Sequence, residues 1–99
     1  MSAPVLLLRV AATWLLPGLG LLALPAGPTP HLTAYALHTA LAVRAVRPDG
    51  MALVGVATVE EVSRPGTEAA VSQRALLLEM EAAETLPPDT EIWLSVRYL

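Results

Sequence analysis

The stretch from Tyr35 to Val62, YALHTALAVRAVRPDGMALVGVATVEEV, limits the possible folds more than any other part of the chain. It reads as two long strands about a tight turn at Arg47-Pro48-Asp49-Gly50. Pro48 presets φ for the first turn position, Asp49 can bond its own backbone, and Gly50 supplies a positive φ. A type I turn followed by a glycine bulge makes a three-residue hairpin loop. Placing Arg47 opposite Met51 fixes the register: Val43 faces Gly55, Leu41 faces Ala57 and Thr39 faces Val59. On the other face Val46 opposes Ala52, Arg44 opposes Val54, Ala40 opposes Thr58 and His38 opposes Glu60. Both faces are largely apolar near the turn, whereas an antiparallel sheet with one wet face alternates more cleanly. Two covered faces imply a barrel, a sandwich or a subunit interface.

The flanking segments extend the β pattern. Val5 to Trp14 reads as a strand with Arg9 as its one charge, and Gly20 to Leu24 as a short return strand. Between them Leu16-Pro17-Gly18-Leu19 has the proline and glycine of a type II turn. Pro25 to Pro30 is an extended proline loop, and Ser63 to Thr67 is a turn-like break. Residues 68–85 are ambiguous. Ala, Glu, Leu, Met, Gln and Arg favour a helix by propensity, with Thr67 as N-cap and Glu68 in the first turn. The alternative is a strand over Arg74 to Ala82, with Leu76, Leu78 and Met80 on one face. Leu86-Pro87-Pro88-Asp89 ends this element in either case, and Glu91 to Tyr98 is a last strand. The expected fold is mainly β, a small antiparallel barrel or sandwich of five to six strands over residues 1–99 as a single domain. A helix at 68–85 would make it α+β. Leu41, Val43, Val54, Val56, Ile92 and Leu94 are the expected core positions.

Composition asks where so much apolar surface can go. Of the residues, 55% are hydrophobic and 15% charged, against roughly 45–50% and about 25% in ordinary domains. A small domain has much surface for its volume, so the excess points to another subunit, a partner protein or lipid. The net charge is −3, and the six cations are all arginines, spread singly. No basic stripe tracks phosphates, so nucleic-acid binding is disfavoured. No cysteine is present, which removes a disulfide framework, a thiolate nucleophile and a Cys-type zinc site. The rarity of Lys, Asn, Phe and Ile beside abundant Ala, Leu, Val, Pro, Gly and Arg suits a GC-rich bacterial or bacteriophage source.

Val10 to Leu24 resembles the apolar core of a secretion signal, with Pro25-Ala26-Gly27 as a cleavage region. Pro17-Gly18 would break its helix, and Leu24 is large where a small residue is wanted. The run is also interrupted before the ~20 apolar residues a membrane-spanning helix needs. Strands are the preferred reading. Membrane association is disfavoured, and a cytoplasmic or virion setting is favoured over secretion.

Few residues suggest chemistry. His38 and Glu60 are the most specific pair, because opposed strand residues have Cβ atoms about 4.5–5.5 Å apart. A carboxylate so placed can orient an imidazole, which is half of a general-base arrangement. No nucleophile can be set beside it, and an ordinary cross-strand contact explains the pair as well. Tyr35 is a further polar handle for a ligand. His31, His38, Glu60 and Glu61 would bind a metal only if the proline loop folded back. Glu79, Glu81 and Glu84 read as a solvated acidic face. Trp14, Trp93 and Tyr98, without interleaved cations, read as interface anchors. No cofactor and no catalysis are expected. The leading expectation is a structural or assembly subunit that binds copies of itself or other protein subunits. Ring-forming proteins of phage heads and tails are a class analogy only, with no motif behind it. The alternative is a small β-barrel module that binds an apolar ligand or peptide.

Overall fold

The computed structural model describes residues 4–64, 71–80 and 86–95. Six strands form: β1 Leu6–Leu16, β2 Gly20–Pro25, β3 Ala40–Val46, β4 Ala52–Arg64, β5 Val71–Glu79 and β6 Glu91–Leu94. A short 3-10 turn, Pro30–Ala34, lies between β2 and β3. The strands close into a ring in the order β1-β2-β5-β4-β3-β6, with every neighbour antiparallel. The strands β3, β4 and β5 are sequential neighbours. β2 lies beside β5 and β6 lies beside β3, each after a long connection, which gives two overlapping Greek keys. β1 closes the ring by pairing with β2 on one side and β6 on the other.

The central hairpin has the register its turn dictates. Ala40↔Thr58, Leu41↔Ala57, Val43↔Gly55, Arg44↔Val54 and Val46↔Ala52 are paired. In the loop, Gly50 N–H donates to Arg47 O (2.8 Å) and Arg47 N–H donates to Met51 O (2.8 Å). Asp49 Oδ1 accepts from Met51 N–H at 2.9 Å, and Gly50 has φ +89°. These are the contacts of a type I turn with a glycine bulge. At the other hairpin Leu19 N–H donates to Leu16 O (2.9 Å), and Gly18 at φ +80° takes the position a type II turn reserves for glycine.

The described part of 68–85 departs from the helical expectation, and the rest lies outside the described residues. Residues 71–79 are strand β5, paired with β4 from Val56↔Glu79 to Arg64↔Val71 and with β2 over Leu21–Ala23. Its residues are good helix formers, but β2 and β4 each present a pairing edge that β5 fills. Ring closure outweighs an intrinsic preference of a few tenths of a kcal/mol per residue. Leu76 and Leu78 point inward, as the strand alternative requires.

The ring interior is narrow and filled by side chains: Leu7, Val10, Leu21, Val43, Val59, Leu76, Leu78 and Ile92 are all buried. Leu32 from the 3-10 turn and Leu86 join this core from outside the strands. Of the expected core positions Val43 and Ile92 are buried, and Leu41 and Leu94 are half-buried and packed against the core. Val54 and Val56 correct the expectation. They are 60% and 42% exposed, because they lie opposite Arg44 and Ala42 on the outer face. The inward positions of β4 are Leu53, Gly55, Ala57 and Val59, mostly small residues that fit the limited interior.

Candidate functional site

The most unusual surface belongs to the first hairpin. Up to Arg9, β1 is covered on its β6 side. It pairs with β6 through Leu6↔Trp93, Leu8↔Ile92 and Arg9↔Glu91. Val10 N–H then donates to Thr90 O (2.9 Å), and Val10 O accepts from Asp89 N–H (2.8 Å). Beyond Val10 the partner on that side ends. Ala12 to Leu16 pair with β2 alone, from Ala12↔Leu24 to Leu16↔Gly20. The far edge of residues 11–16 therefore meets no strand among the described residues. Leu16 O accepts from Leu19 N–H, so Leu16 turns its polar groups toward β2. Antiparallel alternation gives Trp14 and Ala12 the same direction and turns those of Thr13 and Leu15 outward.

The side chains of this arm are as unusual as its edge. Trp14, Leu15 and Leu19 are 62%, 62% and 61% exposed. Trp14 stands across from Leu22, and Leu15 across from Leu21, so large apolar groups emerge from both faces of the ribbon. A groove at its root is lined by Leu15, Leu19, Leu21, Leu78 and Met80. No Asp, Glu, Lys or Arg occurs between Arg9 and Arg44.

The opposite arm shows what a protected edge looks like. Glu60 to Ser63 of β4 pair with β5 alone, but carry Glu60 and Glu61. Arg74 Nη1 lies 3.0 Å from Glu61 Oε2. Charged residues on an open edge discourage pairing with other chains, and the β1 edge has no such device.

Burying Trp14, Leu15 and Leu19 would stabilise a contact by about 1.5–3 kcal/mol each at most. Association costs at least about 4 kcal/mol in lost rigid-body freedom. The three side chains roughly offset that cost, and backbone pairing along the edge would supply the surplus.

The other expected site residues fall elsewhere. His38 and Glu60 do meet: Nδ1 of His38 lies 3.0 Å from Glu60 Oε1. The contact is at the surface, with the His38 side chain 75% exposed. Tyr35 is half-buried and packs on the core. His31 donates from Nε2 to Leu7 O at 2.6 Å, which ties the proline loop to β1. Trp93 is half-buried, and its Nε1–H donates to Glu91 Oε1 at 3.2 Å. Glu91 also binds Arg9 at 3.0 Å, a cluster at the β1–β6 seam that no local pattern in the sequence announces. Glu79 is exposed at the end of β5. Tyr98, Glu81 and Glu84 lie outside the described residues. No group of three or more His, Asp or Glu among the described residues could hold a metal ion. No helix among them is long and apolar enough to cross a membrane.

Leu15 and Leu19 are the arm residues that reading the sequence did not single out. Their signal was available: both flank a Pro-Gly turn, where side chains project, inside a charge-free run. Comparison with known protein families, with characterised proteins and with solved structures finds no match to this chain.

Proposed function

We propose that this protein is a non-catalytic structural subunit that joins copies of itself or other protein subunits in a larger assembly. The observation that carries the reading is the β1–β2 arm, which combines a strand edge that no described strand pairs with, exposed Trp14, Leu15 and Leu19, and no charge. A monomer with such an arm carries an aggregation liability, and assembly turns it into a contact. The residue bias suits a GC-rich bacterial or bacteriophage source, and a particle component is a class analogy only. The alternative, a barrel that encloses an apolar ligand, has less support, because the ring interior is filled by its own leucines and valines.

Absolute molar mass by light scattering in detergent-free buffer tests the proposal. A discrete multiple of 10.4 kDa is expected. Trp14→Ser with Leu19→Ser should lower that mass while the circular dichroism spectrum stays β-like. A wild-type chain that remains monomeric at high concentration, and captures no subunit through an immobilised arm, would sink the proposal.

A further inference from the structure

We propose that the strand which completes the β1 edge is β1 of a second copy, laid antiparallel across a two-fold axis at Thr13. The inference rests on the assembly reading above and names its partner. An open edge takes an extended strand, because only that geometry supplies alternating donors and acceptors at the right spacing. Chemistry then selects among strands. The arm carries no charge from Val10 onward, so a charged strand would lose solvation without gaining an opposite charge. Two other edges among the described residues meet a strand on one side only, 60–63 of β4 and 71–75 of β5; they carry Glu60, Glu61 and Arg74 and fit poorly. The β1 edge of another copy is uncharged and of the same length.

The two-fold register also fits by size. Thr13 meets its own counterpart, and threonine pairs are favourable across strands. Trp14 falls opposite Ala12 of the second copy, and Leu15 opposite Ala11, so these two large side chains meet small ones. The pairing stops before Leu16, whose counterpart Val10 already bonds Thr90 and Asp89. Arg9 falls at Pro17, past the end of the pairing, and is already engaged by Glu91 at 3.0 Å. No like charges face each other. The result is an isologous contact, closed by symmetry, in which the two arms form one continuous four-stranded ribbon.

The chain has no native cysteine, so Thr13→Cys is a single-site reporter. Directly opposed strand residues fall within the Cα separation a disulfide tolerates. Mild oxidation should convert Thr13→Cys to a covalent dimer within minutes, while Val54→Cys on the exposed outer face stays largely monomeric. Thr13→Lys places two cations face to face and should weaken self-association at least 100-fold with an unchanged β-type circular dichroism spectrum. If wild-type protein is oligomeric but Thr13→Cys crosslinks no faster than Val54→Cys, the two-fold β1 contact is wrong and the assembly reading survives on another surface. If wild-type protein is monomeric, amide exchange at Thr13 and Leu15 separates two causes. Slow exchange means that another segment of the same chain covers the edge. Fast exchange means that the edge is open and does not self-pair. Either result overturns the proposal.

Discussion

Met80 occupies the space in which residue 55 would carry its Cβ. A Cβ built on Gly55 collides with Met80 Cγ and comes within 2.7 Å of Glu79 O. Gly55 faces inward opposite Val43, and Met80 packs against the core above it. The thioether can move, but the Glu79 carbonyl cannot, so Gly55→Ala should cost about 1–3 kcal/mol as an overpacked site. In urea melts the Gly55→Ala, Met80→Ala double variant should lose less than the sum of the two single losses. A fully additive pair would show that the methionine does not set the requirement for glycine.

Leu76 and Val54 sit on opposite sides of the same sheet and should respond very differently to substitution. Leu76 is fully buried, and Leu76→Ala should lose about 2–5 kcal/mol. Val54 is 60% exposed, and Val54→Thr should change stability by no more than about 0.5 kcal/mol. Equal losses in chemical denaturation would place Val54 inside and reverse the faces of β4.

His38 is held at φ +70°, a conformation that costs a non-glycine residue about 1–2 kcal/mol. Glycine removes that strain at an entropic cost of about 0.4–1 kcal/mol. The lost contact to Glu60 is exposed and contributes little. Thermal melts of His38→Gly should therefore show unchanged or slightly raised stability. A loss greater than about 1 kcal/mol would mean that the pair matters to the fold, since surface changes rarely exceed half of that.

Thr90 is fully buried, and its Oγ1–H donates to Pro87 O at 2.7 Å. The same carbonyl also accepts from Thr90 N–H at 3.3 Å, so Thr90→Val leaves it partnered. The loss should sit near an ordinary hydrogen bond, about 0.5–1.5 kcal/mol, measured by urea midpoint. A loss above about 3 kcal/mol would show that the hydroxyl meets a further partner.

Trp14 can report assembly directly. In the Trp93→Phe variant all tryptophan emission comes from Trp14, which is 62% exposed in the single chain. Its emission should shift to shorter wavelength as concentration rises and the arm becomes covered. An emission maximum that stays fixed while the molar mass grows would put the contact elsewhere.

The central hairpin was legible because a tight turn carries its own register. Pro48, Asp49 and Gly50 fix how Arg47 meets Met51, and the pairs from Val46↔Ala52 to Ala40↔Thr58 follow. Beyond them the regular ladder ends, with His38 N–H and Thr39 O both bonded to Val59, though the His38 side chain still reaches Glu60. Which side of that hairpin faces inward was not legible, because both carry valines and only ring closure distinguishes them. That is why Val54 and Val56 were misplaced. Residues 71–79 misled for a related reason. Their helix-forming composition is a local property, and the demand for a strand comes from β2 and β4, distant in sequence. The arm was half legible. Trp14 stood out as an aromatic anchor, but its exposure depends on where β6 stops, and nothing near residue 14 records that.

The seam between β1 and β6 also bears on how the molecule is made. Leu6 must find Trp93, so the ring cannot shut until nearly all of these residues have left the ribosome. Contacts this remote in sequence slow folding, whereas the Leu16–Gly20 hairpin needs only its immediate neighbours. A nascent chain would therefore display Trp14 and Leu19 well before its interior is sealed. Partners, or chaperones, would meet the arm first, and the order of synthesis would favour early capture over late docking.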